Sequence, residues 1–267
     1  MCRLFCFRSD VAAKVHHSLV VAPNSLRFQS NEHQDGWGIA YWANERACVA
    51  KGLSPAHSDP EFERVSGQFQ SPTVLAHVRR ASVGAVHLRN AHPFLHGGYA
   101  FAHNGTLREF SKHQPEVEAL IDLDLRDEVK GETDSERCFY VFLSRLRSLV
   151  SGQIPNVTQV AAALAHTMRA LSAIADVAGE EPSSMNFAVT NGLWMVATRR
   201  RRSLFFSEWK KKADSPHAHP VFGSRVAQLV IASEKVSAED HWYEVPEDGI
   251  VGVDERLVFR QWKTSDL

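Results

Sequence analysis

A cysteine occupies the second position of the chain, where it could gain chemistry that an internal cysteine lacks. Removal of the initiator methionine would leave Cys2 with a thiol and a free α-amine on the same residue. An α-amine has a pKa of about 7.7–8, so near neutral pH part of it is a base that can accept the thiol proton. N-terminal amines activate nucleophiles in this way in covalent catalysis. Cys2 is therefore a candidate nucleophile, and the alternative is a small buried residue at the start of a strand.

A second candidate is the run Ala102-His103-Asn104-Gly105-Thr106, which ends an apolar segment. Asn-Gly is typical of a tight turn, and that interpretation needs no function. The functional interpretation is that the side-chain amide of Asn104 and the backbone N–H of Gly105 donate hydrogen bonds to one point. Two such donors can stabilise the oxyanion of a tetrahedral intermediate.

Two charged residues have the chemistry to recognise the two ends of an amino acid. Arg79 follows an apolar run, and its planar guanidinium can donate two parallel hydrogen bonds to a carboxylate. Asp134 lies at the start of an amphipathic segment and could bind an ammonium group. The alternatives are a surface salt bridge for Arg79, and an N-cap role for Asp134 or its neighbour Thr133.

Apolar patterns predict the elements that carry these residues. A strand begins at Cys2, and buried strands over 73–77 and 99–102 place Arg79 and Asn104 just beyond strand ends. Two long amphipathic helices are predicted over 134–150 and 157–177. Further strands are predicted over 185–190, 193–198, 204–207, 227–232, 242–245, 250–253 and 257–262. Strands on both sides of a helical pair favour sheets covered by helices, in one α+β domain spanning residues 2–267.

Shorter signals predict local structure. Apolar residues at intervals of four indicate a helix over 10–21, and residues 37–41 and 47–50 indicate a hairpin. The run Ser58-Asp59-Pro60-Glu61 is typical of a helix start, with proline in the first turn. Asn191-Gly192 between two strand patterns predicts another hairpin.

Two further clusters invite a functional interpretation that we do not favour. Arg199–Arg202 with Lys210–Lys212 could hold an anionic partner, but the arginines lie between two predicted strands and fit a solvated hairpin turn. His217-Ala218-His219 has metal-ligand spacing, but it lies between two prolines in a polar segment without a nearby cysteine. We therefore predict no metal and no cofactor.

Composition limits the class of protein. The chain has 267 residues, of which 44 % are hydrophobic and 23 % charged, as in a globular protein with a substantial core. Its 30 basic and 31 acidic residues leave a formal charge of −1, which argues against a nucleic-acid partner. Four scattered cysteines exclude a disulfide framework. No apolar run suits a membrane span or a secretory signal, so we expect a cytoplasmic protein.

Taken in order, these motifs resemble the glutaminase domain of the class II, or N-terminal nucleophile, glutamine amidotransferases. The resemblance rests on Cys2-Arg3-Leu4-Phe5, Asp35-Gly36-Trp37-Gly38, His77-Val78-Arg79, Asn90-Ala91-His92-Pro93-Phe94, His103-Asn104-Gly105, Thr133-Asp134-Ser135-Glu136 and Ser233-Glu234. It extends from Cys2 to Phe259. It is strongest to the stand-alone branch without a synthase domain, which includes γ-glutamyl hydrolases of ergothioneine biosynthesis and glutathione breakdown.

The resemblance implies a fold, a reaction and roles. The implied fold is a four-layer αββα sandwich of the N-terminal nucleophile hydrolase type. Cys2 would be the nucleophile with its own amine as base, and Asn104 and Gly105 would form the oxyanion hole. Arg79 would bind the substrate α-carboxylate and Asp134 the α-ammonium. The implied reaction attacks the γ-carbonyl of glutamine or of a γ-glutamyl amide, and water then hydrolyses the γ-glutamyl thioester to glutamate.

The sequence departs from the family pattern in two places. Family members with synthase domains usually carry Trp-Ala-Thr-His after the arginine, where this chain has Arg80-Ala81-Ser82-Val83. Ser82 retains a hydroxyl for the substrate, whereas Val83 cannot donate a hydrogen bond. Glu32-His33-Gln34 replaces a common Arg-Gly-Tyr before Asp35. We expect this segment to form part of a lid and to favour a substrate other than plain glutamine.

We therefore predict a stand-alone hydrolase with a small-molecule substrate. One alternative is a subunit that supplies ammonia to a separate synthase, although no segment suggests a docking module. The other is a non-catalytic sensor that binds glutamine or a γ-glutamyl compound. The sequence makes no prediction about the oligomeric state.

Overall fold

The computed structural model describes residues 2–209 and 222–267. Short helical turns cover His17–Val21, Leu88–Asn90 and Thr264–Asp266. The remaining elements of the described residues are, in chain order, β1 (Arg3–Ala13), α1 (Leu26–Gln29), β2 (Trp37–Ala43), β3 (Arg46–Gly52), α2 (Pro60–Gln68), β4 (Ser71–Val78), β5 (Phe94–His96), β6 (Tyr99–Thr106), α3 (Phe110–Ala119), α4 (Leu123–Arg126), α5 (Asp134–Val150), α6 (Val157–Ala175), β7 (Ser184–Thr190), β8 (Met195–Thr198), β9 (Phe205–Trp209), β10 (Gln228–Ala232), β11 (Tyr243–Glu244), β12 (Gly249–Val253) and β13 (Phe259–Lys263).

The strands form two antiparallel sheets. A seven-stranded sheet has the order β11-β9-β10-β1-β4-β2-β3, and a six-stranded sheet has the order β13-β12-β8-β7-β6-β5. Strand β1, which follows Cys2, pairs with β10 and β4, so Phe5 lies opposite Ala232 on one side and Ala76 on the other. Strand β6, which carries Asn104, pairs with β7 and β5. The two candidate catalytic segments therefore lie on inner strands of different sheets.

Alternation along β1 shows how the layers form. Leu4 and Cys6 contribute to a core between the two sheets, whereas Phe5 and Phe7 face a second core beneath the helices of the seven-stranded sheet. Successive side chains of a strand point to opposite faces, so one strand serves both cores. A third core lies between α5 and α6 and the outer face of the six-stranded sheet. The layers are helix, sheet, sheet and helix, which confirms the predicted α+β class and four-layer αββα sandwich.

The two long helices confirm the amphipathic pattern. Helix α5 has the predicted bounds, and α6 ends at Ala175. Thr133 caps α5, and Asn156 and Gln159 form a reciprocal capping box at α6. These caps satisfy backbone N–H groups that have no partner within the helix, so each helix begins where its sequence allows a cap. None of the helices in the described residues is long and apolar enough to cross a membrane.

Several local predictions are also confirmed. Strands β2 and β3 form the hairpin around residues 44–45, and Asp59 caps α2 with Pro60 in its first turn. Asn191-Gly192 lies in the turn between β7 and β8, where Thr190 pairs with Met195.

The helix predicted over 10–21 is wrong. Strand β1 continues to Ala13, where it pairs with Ser71 after a register shift, and only His17–Val21 is helical. Val11 is exposed, whereas Val15 and Leu19 are buried, so the apolar spacing does not describe one helix face. Strand pairing to two neighbours outweighs the local helical pattern.

The segment Arg199–Arg202 is not a hairpin turn. Strand β8 belongs to the six-stranded sheet and β9 to the seven-stranded sheet, so the segment crosses from one sheet to the other. Arg199 lies 2.7 Å from a carboxylate oxygen of Glu244, and Arg200 lies 2.6 Å from one of Asp176. These two arginines are engaged within the protein. Lys210–Lys212 and His217–His219 lie outside the described residues.

Candidate active site

A cavity of about 270 Å³ lies beside Cys2, and its lining residues are Cys2, Arg80, Ala81, Ser82, Asn104, Gly105 and Thr106. The fold thus brings four predicted site residues together from the start of β1, the segment after β4 and the end of β6. Arg79 and Asp134 are not among the lining residues. Both are about 3 % exposed, so they belong to the interior near this cavity.

The thiol of Cys2 is held by the segment that follows β4. Its Sγ lies 3.4 Å from the backbone nitrogen and 3.4 Å from the backbone oxygen of Arg80. Burial raises the pKa of the Cys2 thiol, and the charge of Asp134 raises it further. The N–H of Arg80 and the charge of Arg79 oppose that rise in pKa. A thiol with a raised pKa stays protonated near neutral pH, so its use as a nucleophile requires a base.

The two candidate oxyanion donors follow each other on β6. The Nδ2 of Asn104 lies 3.1 Å from Ser233 Oγ in the other sheet, and the Asn104 side chain is buried. A Cβ added to Gly105 would lie 2.0 Å from the carbonyl oxygen of Ser184 and 2.3 Å from His103 Nε2. Only glycine therefore fits at position 105, because β6 approaches β7 and the His103 ring too closely for a side chain.

The guanidinium of Arg79 is buried and has no acidic partner among the described residues. Its Nη atoms donate to the backbone oxygens of Val83 at 2.9 Å, Ala85 at 3.0 Å and Gly84 at 3.2 Å. No carboxylate in residues 2–209 and 222–267 forms a salt bridge with it. Carbonyl dipoles orient the group, but they do not neutralise its charge. The alternative of a surface salt bridge for Arg79 is therefore wrong.

The carboxylate of Asp134 is similarly buried and does not cap its helix. Thr133 takes the N-cap role, because its Oγ1 accepts the N–H of Glu136 at 3.2 Å. Asp134 Oδ2 accepts the N–H of Leu107, and Oδ1 accepts the N–H of Ser135, both at 2.8 Å. No lysine or arginine in the described part of the chain forms an ion pair with Asp134. Each carboxylate oxygen retains acceptor capacity, because it has two lone pairs.

The hydrogen bonds of His103 show why the Ser135 hydroxyl leaves the acceptor capacity of the Asp134 carboxylate unused. Its Nε2 lies 3.0 Å from the carbonyl oxygen of Ser184, which can only accept, so Nε2 carries the proton. Burial lowers the pKa of His103, so the ring is neutral and Nδ1 accepts from the Ser135 hydroxyl at 3.0 Å. The single hydroxyl proton of Ser135 is then used on His103. It is not donated to Asp134 Oδ1, which lies 3.3 Å away.

Asp35 and Asn90 hold the backbone around the site in place. The sequence motifs gave neither residue an individual role. Asp35 donates its N–H to the Arg79 oxygen at 3.0 Å, and its Oδ2 accepts the N–H of Ala81 at 2.7 Å. It thereby anchors the backbone on both sides of Arg80, beside the thiol. Asn90 donates to the Ala85 oxygen at 3.0 Å and so holds the loop that orients Arg79. Both lie in motifs that carry the family resemblance, which was the only signal for them.

His33, from the segment expected to form a lid, is buried. Burial, together with the nearby charges of Arg3 and Arg80, lowers the pKa of His33 to about 4. The ring is therefore neutral near pH 7.

Among the described residues, no group of three or more His, Cys, Asp or Glu side chains could hold a metal ion.

Comparison with known proteins identifies the family. The family model for class-II glutamine amidotransferases matches residues 1–255. The chain therefore belongs to the class II glutamine amidotransferases.

Two curated relatives cover most of the chain. One, from Saccharomyces cerevisiae, is named "Probable glutamine amidotransferase DUG3" and is 27 % identical over 297 residues, covering 97 % of this chain and 83 % of the relative. The other is the γ-glutamyl-hercynylcysteine sulfoxide hydrolase of Mycobacterium tuberculosis. It is 24 % identical over 249 residues, covering 88 % of this chain and 86 % of the relative.

Solved structures show the same fold at low identity. A class-II glutamine aminotransferase domain protein of Silicibacter pomeroyi superposes with a TM-score of 0.66 at 18 % identity, covering 98 % of both chains. The glutamine phosphoribosylpyrophosphate amidotransferase of Bacillus subtilis superposes with a TM-score of 0.65 at 16 % identity, covering 98 % of this chain and 49 % of that one. These neighbours confirm the N-terminal nucleophile hydrolase fold.

Proposed function

We propose that the protein is a stand-alone hydrolase that cleaves the γ-amide of glutamine or of a γ-glutamyl compound through a thioester on Cys2, releasing glutamate. One observation carries this proposal. Arg79 and Asp134 are buried, oppositely charged and without ion-pair partners in the described residues, and both act on the pKa of the Cys2 thiol. Unpaired buried charges are costly, and the headgroup of an α-amino acid supplies the two complementary charges.

The chemistry begins with removal of Met1, which exposes the α-amine of Cys2. The amine accepts the thiol proton, and the thiolate attacks the γ-carbonyl carbon. The carbonyl oxygen becomes an oxyanion that accepts hydrogen bonds from the Asn104 amide and the Gly105 N–H. Collapse of this intermediate breaks the C–N bond, and the protonated α-amine gives its proton to the leaving nitrogen. Water, deprotonated by the same amine, then cleaves the thioester to glutamate and restores the thiol.

Substrate recognition follows from the charges and the cavity. Arg79 binds the α-carboxylate and Asp134 the α-ammonium, so an analogue that lacks either group leaves a buried charge unpaired. Ser82, whose Oγ lies 3.1 Å from Thr106 Oγ1 at the cavity wall, contacts the part of the substrate beyond the γ-carbonyl. The named activity of the mycobacterial relative supports γ-glutamyl hydrolysis as the reaction class.

We further propose that residues 2–267 form one glutamine amidotransferase domain that works in the cytoplasm. A thiol nucleophile must stay reduced, and the cytoplasm keeps cysteines in that state.

Intact mass spectrometry tests the proposed nucleophile. Purified protein is measured before and after reaction with diazo-oxo-norleucine, whose diazo carbon alkylates a thiolate with loss of dinitrogen. We expect loss of Met1 and one covalent label, which disappears in Cys2→Ala. Cys48→Ala is the matched control, because Cys48 is a half-exposed cysteine outside the cavity lining and the label should remain.

A screen of γ-glutamyl amides for glutamate release then tests turnover. Retained Met1, or unlabelled processed protein that still binds glutamine, would contradict the hydrolase and favour the sensor. Turnover of glutamine alone, with ammonia as the product, would favour a subunit that supplies a synthase.

A further inference from the structure

Ser233 connects the two sheets at the candidate active site. It follows β10 directly and is fully buried. Its Oγ accepts the backbone N–H of Leu4 at 3.1 Å, and its own N–H donates to the Leu4 oxygen at 3.0 Å. Leu4 lies two residues after Cys2 on β1. The Ser233 hydroxyl is thereby held at a constant position relative to the strand of the nucleophile.

The same hydroxyl contacts the Asn104 side chain on the opposite sheet. Asn104 Nδ2 lies 3.1 Å from Ser233 Oγ. Asn104 Oδ1 is buried, and no donor in the described residues reaches it. Within the described part of the chain, the amide is therefore held at its nitrogen end only. Buried amide oxygens are normally hydrogen-bonded, so this arrangement calls for a physical account.

The hydrogen-bonding capacity of the two side chains provides that account. With Nδ2 on Ser233, the hydroxyl accepts from both Leu4 and Asn104. Residues 2–209 and 222–267 then provide no acceptor for the hydroxyl proton and no donor for the amide oxygen. The two ends of an amide have the same shape and differ only in their hydrogens. With the amide reversed, the Ser233 hydroxyl donates to Oδ1 while still accepting from Leu4. The free end of Asn104 is then its NH₂ group, a donor for an oxyanion.

We infer that Ser233 is a positioning residue: its hydroxyl orients the Asn104 amide so that the NH₂ group serves the oxyanion formed at Cys2. This inference rests on the proposed function, because an oxyanion arises only if Cys2 attacks a carbonyl. Ser233 itself touches no reacting atom. It acts by linking the oxyanion donor in one sheet to the nucleophile strand in the other.

The expected effect is on the chemical step. An oxyanion donor acts in the transition state more than in the ground state, so its misorientation lowers kcat and leaves KM nearly unchanged. Removal of a whole oxyanion donor costs on the order of 10²–10³ in kcat. In Ser233→Ala the donor is misoriented rather than removed, and we expect kcat to fall roughly 10- to 100-fold. A role limited to stability would not produce this separation of kcat from KM.

Ser71→Ala is the matched control for Ser233→Ala. Ser71 is also fully buried and bridges two strands, with its Oγ 3.0 Å from the backbone nitrogen of Trp42, but it does not contact Asn104. We expect it to destabilise the fold without lowering kcat. If Ser233→Ala fails to fold, Ser233→Thr and Ser233→Val provide a second comparison. Both add the same crowding and differ only in the hydroxyl, so Thr should retain a kcat that Val loses.

Two measurements separate a positioning role from damage to the nucleophile. Alkylation of Cys2 by iodoacetamide displaces iodide and forms no oxyanion, so its rate should be the same in wild type and Ser233→Ala. In a double-mutant cycle with Asn104→Ala, the double variant should be no slower than Asn104→Ala alone. Fully additive losses, or slowed alkylation, would overturn the inference.

Measurements on the wild-type protein distinguish a failure of the proposed function from a failure of the positioning role of Ser233. If it shows neither turnover of γ-glutamyl compounds nor labelling at Cys2, the proposed function fails and the inference fails with it. If the wild type turns over and Ser233→Ala retains full kcat, only the positioning role is refuted.

Discussion

Thr133 and Asp134 show how adjacent residues divide two tasks at the start of α5. Either could cap a helix, and the structure gives the cap to Thr133. Asp134 is thereby left with two backbone donors and no cation in the described residues. A buried carboxylate in this state favours a cationic ligand, which is why we assign the substrate ammonium to it.

We predict that Asp134→Asn raises KM about 10- to 100-fold and lowers stability much less. The substitution removes a charged acceptor for the substrate ammonium, and hydrogen bonds to charged groups contribute about 1.5–3 kcal/mol. Steady-state kinetics with the best γ-glutamyl substrate and a urea denaturation curve provide the measurement. Asp124→Asn, an exposed carboxylate beside Arg147, is the control and should leave KM unchanged. A loss of stability with KM unaltered would show that Asp134 is only structural.

At the scale of elements, the two long helices have similar caps in different settings. The cap of α6 consists of Asn156 and Gln159, whose two hydrogen bonds are exposed to solvent. The cap of α5 is Thr133, directly before the Asp134 carboxylate. One cap therefore affects the fold alone, whereas the other also sets the position of Asp134, the group that we propose binds the substrate ammonium.

We predict that Asn156→Ala and Thr133→Ala each lower the free energy of unfolding by about 1 kcal/mol, as is typical for a lost N-cap. Only Thr133→Ala should also raise KM, because fraying of the first turn displaces Asp134. Chemical denaturation and steady-state kinetics on both variants provide the test. Thr133→Ser retains the hydroxyl and should behave as wild type. An equal rise of KM in both helix variants would refute the local explanation.

Secondary-structure predictions failed at two elements: where strand pairing overrode a helical pattern, and where a helix lacks the usual start signals. The spacing of Val11, Val15 and Leu19 suggested one helix, but Val11 lies in β1, which pairs with β10 and β4 and extends to Ala13, and only His17–Val21 is helical. Helix α3 was not predicted: it contains Pro115, and its N-cap Glu109 has a positive φ and makes no side-chain cap hydrogen bond. Its sequence therefore lacks the usual start signals, and tertiary packing stabilises it.

At the scale of the whole molecule, the interior contains a group of neutral histidines. Burial lowers the pKa of His77 to about 3, lowers the pKa of His92 well below its usual value and also lowers that of His103. His77 and His92 lie with ring centroids 4.2 Å apart, and no described residue hydrogen-bonds to their ring nitrogens. Their protonation in the folded state is therefore unfavourable.

We predict that these three buried histidines make the folded protein less stable in acid. An unfolded histidine binds a proton below about pH 6.5, whereas these residues stay neutral when folded, so the unfolded state binds more protons and stability decreases as the pH is lowered. Stability is full above pH 6.5 and decreases toward pH 3, by at most about 1.4 kcal/mol per pH unit for each histidine. Urea midpoints measured from pH 7.5 to 4.5 provide the test.

Two variants check that prediction. His92→Leu removes no hydrogen bond that the described residues make and should flatten the acid dependence. His17→Gln changes an exposed histidine and should leave the dependence as steep as in wild type. An unchanged slope in His92→Leu would exclude that residue as a source of the acid sensitivity.

Many features of this protein depend on local sequence and could therefore be predicted from the sequence alone. The α5 and α6 patterns, the hairpin of β2 and β3 and the motifs around Cys2, Asn104 and Arg79 depend on residue type and short spacing. The α+β class and the candidate site residues followed from these patterns, because amphipathic periodicity, caps and chemically distinctive side chains act within a few residues of one another. The family and the four-layer sandwich were implied by the resemblance of the motifs to a known family.

Only the tertiary structure decided which of those groups meet. The sheets bring Cys2 and Asn104 to one cavity and link Asn104 through Ser233 to Leu4, on the strand that follows Cys2. They also bury Arg79 and Asp134 without ion-pair partners in the described residues. Ser233 is separated from Leu4 by 229 positions and from Asn104 by 129, so no local pattern reveals their contact. Pairing between distant strands and the exclusion of water set these relations, and both depend on the whole packed sandwich.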